Sequence, residues 1–343
     1  MSKSVKPSEE IICEAQKRDD WSLNLFLSVD IEGATAYKTA MRSITSEEDW
    51  GLLFETFYND FPAYFLKENQ KMSDMSSTKA ISEPHQPAVW KYVGDEILFY
   101  ATLTDSGQTL KHLWVFYQSV IDYNRLLREQ GTGVQCKGTA WIAGFPVNNR
   151  IVSIPKIKKD GKNEHMVDFI GPSIDCGFRL SKYTTSRKLV ISLDLLWIIA
   201  EALEKYPDAM IFTALRDKIR YEGKFELKGV LSGTPYPIFW IDTFAEPPIE
   251  EQWTGTCRYC TTSQVISFCQ KFETTTKDFI RPFIHKDKSK LFDQIPDGFE
   301  DKRQRIIAFK NQMHSSVATK TDNKDVVLAT SKLDAEKLTK KLK

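Results

Sequence analysis

The chain has 343 residues, enough for one to three domains at roughly 150 residues each. Apolar residues make up 41% and charged residues 27%, with 21 Phe, 12 Tyr and 8 Trp, which excludes a disordered chain, a collagen-like fibre and a small disulfide scaffold. A net charge of +1, from 47 basic and 46 acidic residues, argues against a protein whose main work is coating nucleic acid or an anionic membrane.

No stretch approaches the length of an apolar membrane span; the longest candidate, residues 193–203, is broken by Asp194 and Glu201. Residues 1–20 are polar, with no apolar run behind the lysines, and do not read as a secretory signal. The six cysteines, at 13, 136, 176, 257, 260 and 269, fall mostly in apolar segments, as reduced core thiols do. A soluble, cytoplasmic protein is expected, with no nucleic-acid or membrane partner.

In chain order, residues 21–29 read as a buried strand that ends in Asp30-Ile31-Glu32-Gly33-Ala34-Thr35. Ser46 and the acids after it start a helix carrying Trp50, Leu53, Phe54 and Phe57, which Pro62 is expected to end or kink. Residues 71–87 read as a loop. Residues 89–102 form a hairpin about Gly94-Asp95. Residues 105–130 form a long amphipathic helix stopped by Gly131. A strand follows at 134–145. Residues 166–179 run into a short helix or turn, 188–192 form a strand and 193–205 a helix. A second hairpin spans 225–242, turning at Ser232-Gly233-Thr234-Pro235. The order β, α, ββ, α, β, α, β, α, ββ predicts a sheet with helices packed on it, α+β or α/β in class. After Pro247-Pro248 the chain is richer in charge. It has helical patches at 262–272 and 301–313, then a loosely held tail from about 315 with a possible last helix from Ser331.

Three segments could carry chemistry. Asp30 ends an apolar strand before a small-residue turn, which suits a divalent cation and a phosphate. A plain acidic turn is the bland alternative. In Lys91-Tyr92-Val93-Gly94-Asp95, Asp95 sits on a hairpin turn and could be a second metal carboxylate. Two such groups on adjacent strand ends suit phosphoryl transfer. In the segment 168–179, Asp175 and Arg179 are four apart, so one helical face could carry both, and an exposed ion pair is the simple reading.

The set resembles a class III nucleotide cyclase catalytic domain. Asp30 to Thr35 match its Asp-Ile-x-Gly-x-Thr strand end, and Lys91 to Asp95 its Lys-x-x-Gly-Asp hairpin. Asp168, Gly171 and Arg179 match a later Asp-x-x-Gly-x-x-x-Asn-x-x-x-Arg segment. Leu227-Lys228-Gly229 match the closing hairpin, and Gly144 the glycine that ends the central strand. The likeness covers residues 21–243. It implies an α+β, ferredoxin-like catalytic domain over 21–245, behind an N-terminal extension at 1–20. A C-terminal helical extension at 246–315 and a flexible charged tail at 316–343 would follow.

The resemblance further implies a homodimer with two composite sites acting on a nucleoside triphosphate. Asp30, the Ile31 backbone and Asp95 would hold two divalent cations, Mn²⁺ favoured and Mg²⁺ possible. Gly33, Ala34 and Thr35 would cradle the phosphates. Lys91 and Asp168, from the other protomer, would read the base, and Arg179 would neutralise the α-phosphate. Phe26 and Ser28 share a strand face with Asp30 and could reach the pocket, core packing being the plainer role for Phe26.

Two departures stand out. Asp175 replaces the family's Asn and, when ionised, cannot donate to a ribose oxygen. Ala34 replaces a Phe. The string from Gly171 to Arg179 resembles the stand-alone bacterial pyrimidine cyclases of anti-phage signalling. That implies UTP or CTP as substrate, UTP favoured, and a cyclic nucleotide that activates a separate effector. The alternatives are an adenylate cyclase and an inactive nucleotide-binding module of the same fold. Cys257-x-x-Cys260 with Cys269 and His285 is a weak zinc pattern. Lys228 could touch phosphate, while Lys156, Lys158 and Lys159 read as solubilising.

Overall fold

The computed structural model describes residues 20–43, 50–74, 87–156, 164–207, 212–254 and 259–321. Strand β1 (Ser22–Glu32) leads into helices α1 (Ala34–Ser43) and α2 (Trp50–Asp74), then β2 (Ala88–Val93) and β3 (Glu96–Leu103). Helix α3 (Ser106–Glu129) and β4 (Gln135–Phe145) follow, then β5 (Arg150–Lys156), β6 (Glu164–Ile170) and α4 (Pro172–Leu180). After β7 (Lys188–Ile191) come α5 (Leu193–Lys205), the short α6 (Thr213–Arg216), β8 (Ile219–Phe225), β9 (Tyr236–Asp242), α7 (Ile249–Thr254) and α8 (Thr262–Thr275). Residues up to Pro296 form one compact unit; a second unit from Asp297 contains α9 (Phe299–Thr321).

Seven strands make one sheet in the order β2-β3-β1-β4-β7-β9-β8, antiparallel except where β4 meets β7. The first four strands interleave two split β-α-β units, the ferredoxin-like arrangement, which is the α+β class expected. Strands β7, β9 and β8 extend the sheet, while among the described residues β5 and β6 pair only with each other.

The two faces of β1 do different work, because successive side chains alternate. Leu25, Leu27 and Val29 are fully buried in the main core with Phe57 and Phe61 of α2 and Phe116 of α3. Each such side chain contributes roughly 2 kcal/mol. Phe26 faces the opposite way, into a second core with Tyr100, Trp141, Phe145 and Phe169. Asp30 lies on this second face.

Three expectations change. Pro62 neither ends nor visibly divides α2, which runs through it from Trp50 to Asp74. Phe57, Phe61 and Phe65 pack the helix into the core on both sides of the proline, and this burial offsets the lost hydrogen bond. The β5–β6 arm was not foreseen. The last hairpin begins earlier, at Ile219, with a ten-residue connection (226–235) between its strands. Residues 71–74, expected as the start of a loop, are the last turn of α2; the capping signal at Ser46, residues 75–86 of that loop and the last helix from Ser331 lie outside the described residues. Among the described residues no helix is long and apolar enough to cross a membrane.

Candidate active site

One group of side chains gathers where β1, β3 and β4 end together. Register places Glu96 and Lys137 directly opposite Asp30, one on each neighbouring strand, so all three share a sheet face. Lys137 Nζ lies 3.1 Å from Asp30 Oδ2. Burial pushes the Asp30 carboxyl above its ordinary value despite Lys137, and the Asp95 charge adds to the rise. Burial raises Glu96 too, against the Ser28 hydroxyl that donates to it. Asp95 sits on the β2–β3 turn beside Gly94, whose φ of +65° favours glycine. Tyr58 of α2 donates its hydroxyl to the Gly94 carbonyl, so α2 braces the tip that carries Asp95.

The turn after β1 completes this group. Gly33 has φ +84°, a conformation an L side chain rarely adopts, and its carbonyl accepts from Tyr37 N at 2.9 Å. Helix α1 therefore starts at Ala34, where its first amides lack helical partners. Thr35 is exposed. The Ala34 and Ile31 side chains are buried in the main core, so any part they play is by backbone.

A second group lies on the same sheet face. Lys91 Nζ donates to Asp168 Oδ1 at 2.9 Å, joining β2 to β6. The register of β2 slips between Val89 and Lys91, so Trp90 is the extra residue of a bulge. The Lys91 ammonium sits 4.0 Å over the Trp90 ring and 5.9 Å from Phe178. Trp90 in turn contacts Phe26 and Phe169, at 5.3 and 5.1 Å between ring centres. Phe26 is fully buried among Trp90, Trp141 and Phe169 and presents no surface to a ligand here.

Helix α4 is fixed against this face by two glycines. A Cβ on Gly177 would lie 2.2 Å from the Trp141 ring. One on Gly171, at φ +140°, would lie 2.5 Å from Asn149 Oδ1. Asn149 also donates to the Gly144 carbonyl at 2.9 Å and accepts from Ser173 N at 3.1 Å, tying α4 to the end of β4. Asp175 is exposed on α4, and no ion pair joins it to Arg179 among the described residues. Arg179 is half-buried, and its Nε is buried with no hydrogen-bond partner among the described residues.

The expected residues thus fall into two sets. Asp30, Ile31, Gly33, Ala34, Thr35 and Asp95 form one; Lys91 and Asp168 form the other, with Asp175 and Arg179 on helix α4, which follows β6. Among the described residues no hydrogen bond or ion pair bridges the sets. Lys228 is exposed between β8 and β9. Cys257 lies outside the described residues, and Cys269 is fully buried with its thiol toward the Leu193 carbonyl. Among the described residues no group of three or more His, Cys, Asp or Glu is placed to hold a metal. Lys137, Glu96, Tyr58 and Trp90 were not foreseen. Glu96 had a signal, as the neighbour of Asp95; the other three depend on strand register, helix packing and the bulge.

No protein-family model matches the sequence, and no curated protein matches it. Solved structures do. The adenylyl cyclase CyaB from P. aeruginosa is 14% identical at a TM-score of 0.43, covering 67% of this chain and 98% of that one. The guanylyl cyclase Cya2 is 16% identical at 0.35, covering 66% and 95%. The guanylate cyclase domain of RhGC from Catenaria anguillulae, in complex with GTP, is 10% identical at 0.38, covering 65% and 97%. Likeness of this degree decides neither substrate nor chemistry.

Proposed function

We propose that the chain is a metal-dependent nucleotide cyclase acting on a pyrimidine triphosphate, UTP favoured over CTP, and that its cyclic product signals to a separate effector in antiviral defence. The ribose 3′-oxygen would attack the α-phosphorus, lose its proton and expel diphosphate. The observation that carries this is the convergence of Asp30 and Asp95 at adjacent strand ends, with a Lys91–Asp168 pair on the same face.

The donor set fits a hard divalent cation. Its ligands are oxygens, and burial raises the Asp30 carboxyl even with Lys137 beside it, so added positive charge would favour the ionised, metal-binding form. Asp30, Asp95 and the Ile31 backbone would hold two divalent ions, Mn²⁺ favoured. When bound, these would lower the pKa of the 3′-hydroxyl and neutralise triphosphate charge. The remaining work belongs to the chain. Gly33, Ala34 and Thr35 offer unpartnered amides to phosphate oxygens. Lys91 and Asp168 would exchange their mutual bond for the base edge. Trp90, turned to the same face by the bulge, lies under the Lys91 ammonium and helps to position it. Arg179, with its buried Nε unpaired, would stabilise charge on the α-phosphate.

The preformed Lys91–Asp168 pair also suits adenine, so ATP is the second reading. Purified protein incubated with Mn²⁺ and each of the four ribonucleoside triphosphates separates the cases by product chromatography. Cyclic UMP or cyclic CMP is expected; cyclic AMP alone would establish the second reading. Product that persists in both Asp30→Ala and Asp95→Ala would overturn the site.

A further inference from the structure

Lys137 is the cation beside Asp30, and the nucleotide chemistry above leaves it without a task. Strand register alone places it opposite Asp30 on β4, and its ammonium reaches Asp30 Oδ2 at 3.1 Å. Both side chains are only partly exposed, 24% for Lys137 and 29% for Asp30. The opposite neighbour of Asp30 is Glu96, already engaged by Ser28, and Asp95 lies close by. One lysine therefore faces several carboxylates in a confined space.

We propose that Lys137 is a resident counter-ion: without nucleotide it occupies the cation position beside Asp30, and it passes to the triphosphate when a divalent ion takes that position. This rests on the metal-site reading given above. A divalent ion bound to the Asp30 carboxylate would stand within a few ångströms of the ammonium, and such like charges repel even at high dielectric. Lysine suits a cation that must move, being a compact charge on a flexible stem with three rotatable donors. The incoming triphosphate supplies the anion that the released ammonium needs. Metal and nucleotide binding would then be coupled through one side chain.

The test is Mn²⁺ binding to the full chain without nucleotide, followed by the electron paramagnetic resonance of free Mn²⁺. Lys137→Met should bind Mn²⁺ at least about fivefold more tightly than the natural chain. Its KM for the triphosphate should rise by about tenfold, because a charged hydrogen bond to phosphate is lost. Lys137→Arg, which keeps the charge, should leave Mn²⁺ affinity near the natural value. A structural ion pair would move the melting temperature and not this pattern. Asp30-dependent Mn²⁺ binding that Lys137→Met leaves unchanged or weakens would overturn the proposal alone. Mn²⁺ binding indifferent to Asp30→Asn would overturn the metal site and the proposal with it.

Discussion

Asp194 shows how a single carboxyl outside the site shapes the behaviour of the molecule. It stands in the first turn of α5, where its oxygen takes the Ser192 hydroxyl and the Leu195 N–H. Burial raises its carboxyl from 3.8 to about 6, outweighing those hydrogen bonds. The sign of the linkage follows. The unfolded chain releases this proton near pH 3.8, while the folded chain keeps it until about pH 6. Across that window the unfolded state binds fewer protons, so this group lowers stability as pH rises and has no further effect above the window. Thermal midpoints measured from pH 4 to 7 should show this fall, and Asp194→Asn should remove its share. An Asn variant that keeps the natural slope would place the titration elsewhere.

Among the site residues, legibility divided along the same physical line. Asp30, Asp95, Lys91 and Asp168 could be read because each lies in a short local pattern. Two of them, Lys91 and Asp168, meet directly although they are 77 positions apart. The two-residue period put Phe26 on the Asp30 face as a candidate for the pocket, with core packing its plainer role, and it is fully buried in the second core. Lys137 could not, because its partner is set by pairing between distant strands. Trp90 could not, because a bulge breaks the alternation on which any facing argument rests.

At the scale of elements, α4 is where packing most directly controls a candidate catalytic group. Its backbone lies so close to Trp141 that position 177 has no room for a methyl group. Gly177→Ala should push α4 away from β4, destabilise the fold by about 1–3 kcal/mol, and displace Arg179, two residues on. Denaturant unfolding and turnover should therefore fall together. Lost turnover with unchanged stability would contradict this packing account. The elements themselves were legible where one pattern dominated. Helix α5 and the β2–β3 hairpin lie where the sequence placed them. Helix α2 departs because tertiary burial of three phenylalanines overrides the proline signal. The β5 strand was missed because Pro155 and a lysine-rich stretch resemble a loop; a two-stranded arm has free edges that tolerate a proline.

At the scale of the whole molecule, element order gave a sheet with helices packed on it and the family resemblance implied the ferredoxin-like core, whereas the β7-β9-β8 extension depends on a parallel pairing that no local signal encodes. A charge network holds the extended end. The fully buried Asp242 carboxylate accepts from both Arg187 and Arg220, and Arg187 reaches on to Glu251 of α7. Burial alone would raise Asp242, yet its hydrogen bonds from Arg187, the Phe244 N–H and Arg220 hold it below the ordinary value. This scaffold presents both sets of site residues on one sheet face, while joining neither to the other. If each working site combines the metal set of one protomer with the base-reading set of another, two defects in different sets should complement. Asp30→Asn and Arg179→Ala proteins would each be inactive alone. Mixed after subunit exchange, a twofold-symmetric dimer gives heterodimers that carry both defects in one site and neither in the other. Activity should then return to about a quarter of the natural value, since about half the dimers regain one of two sites. No recovery, with subunit exchange verified by differently tagged chains, would show that both sets act within a single chain.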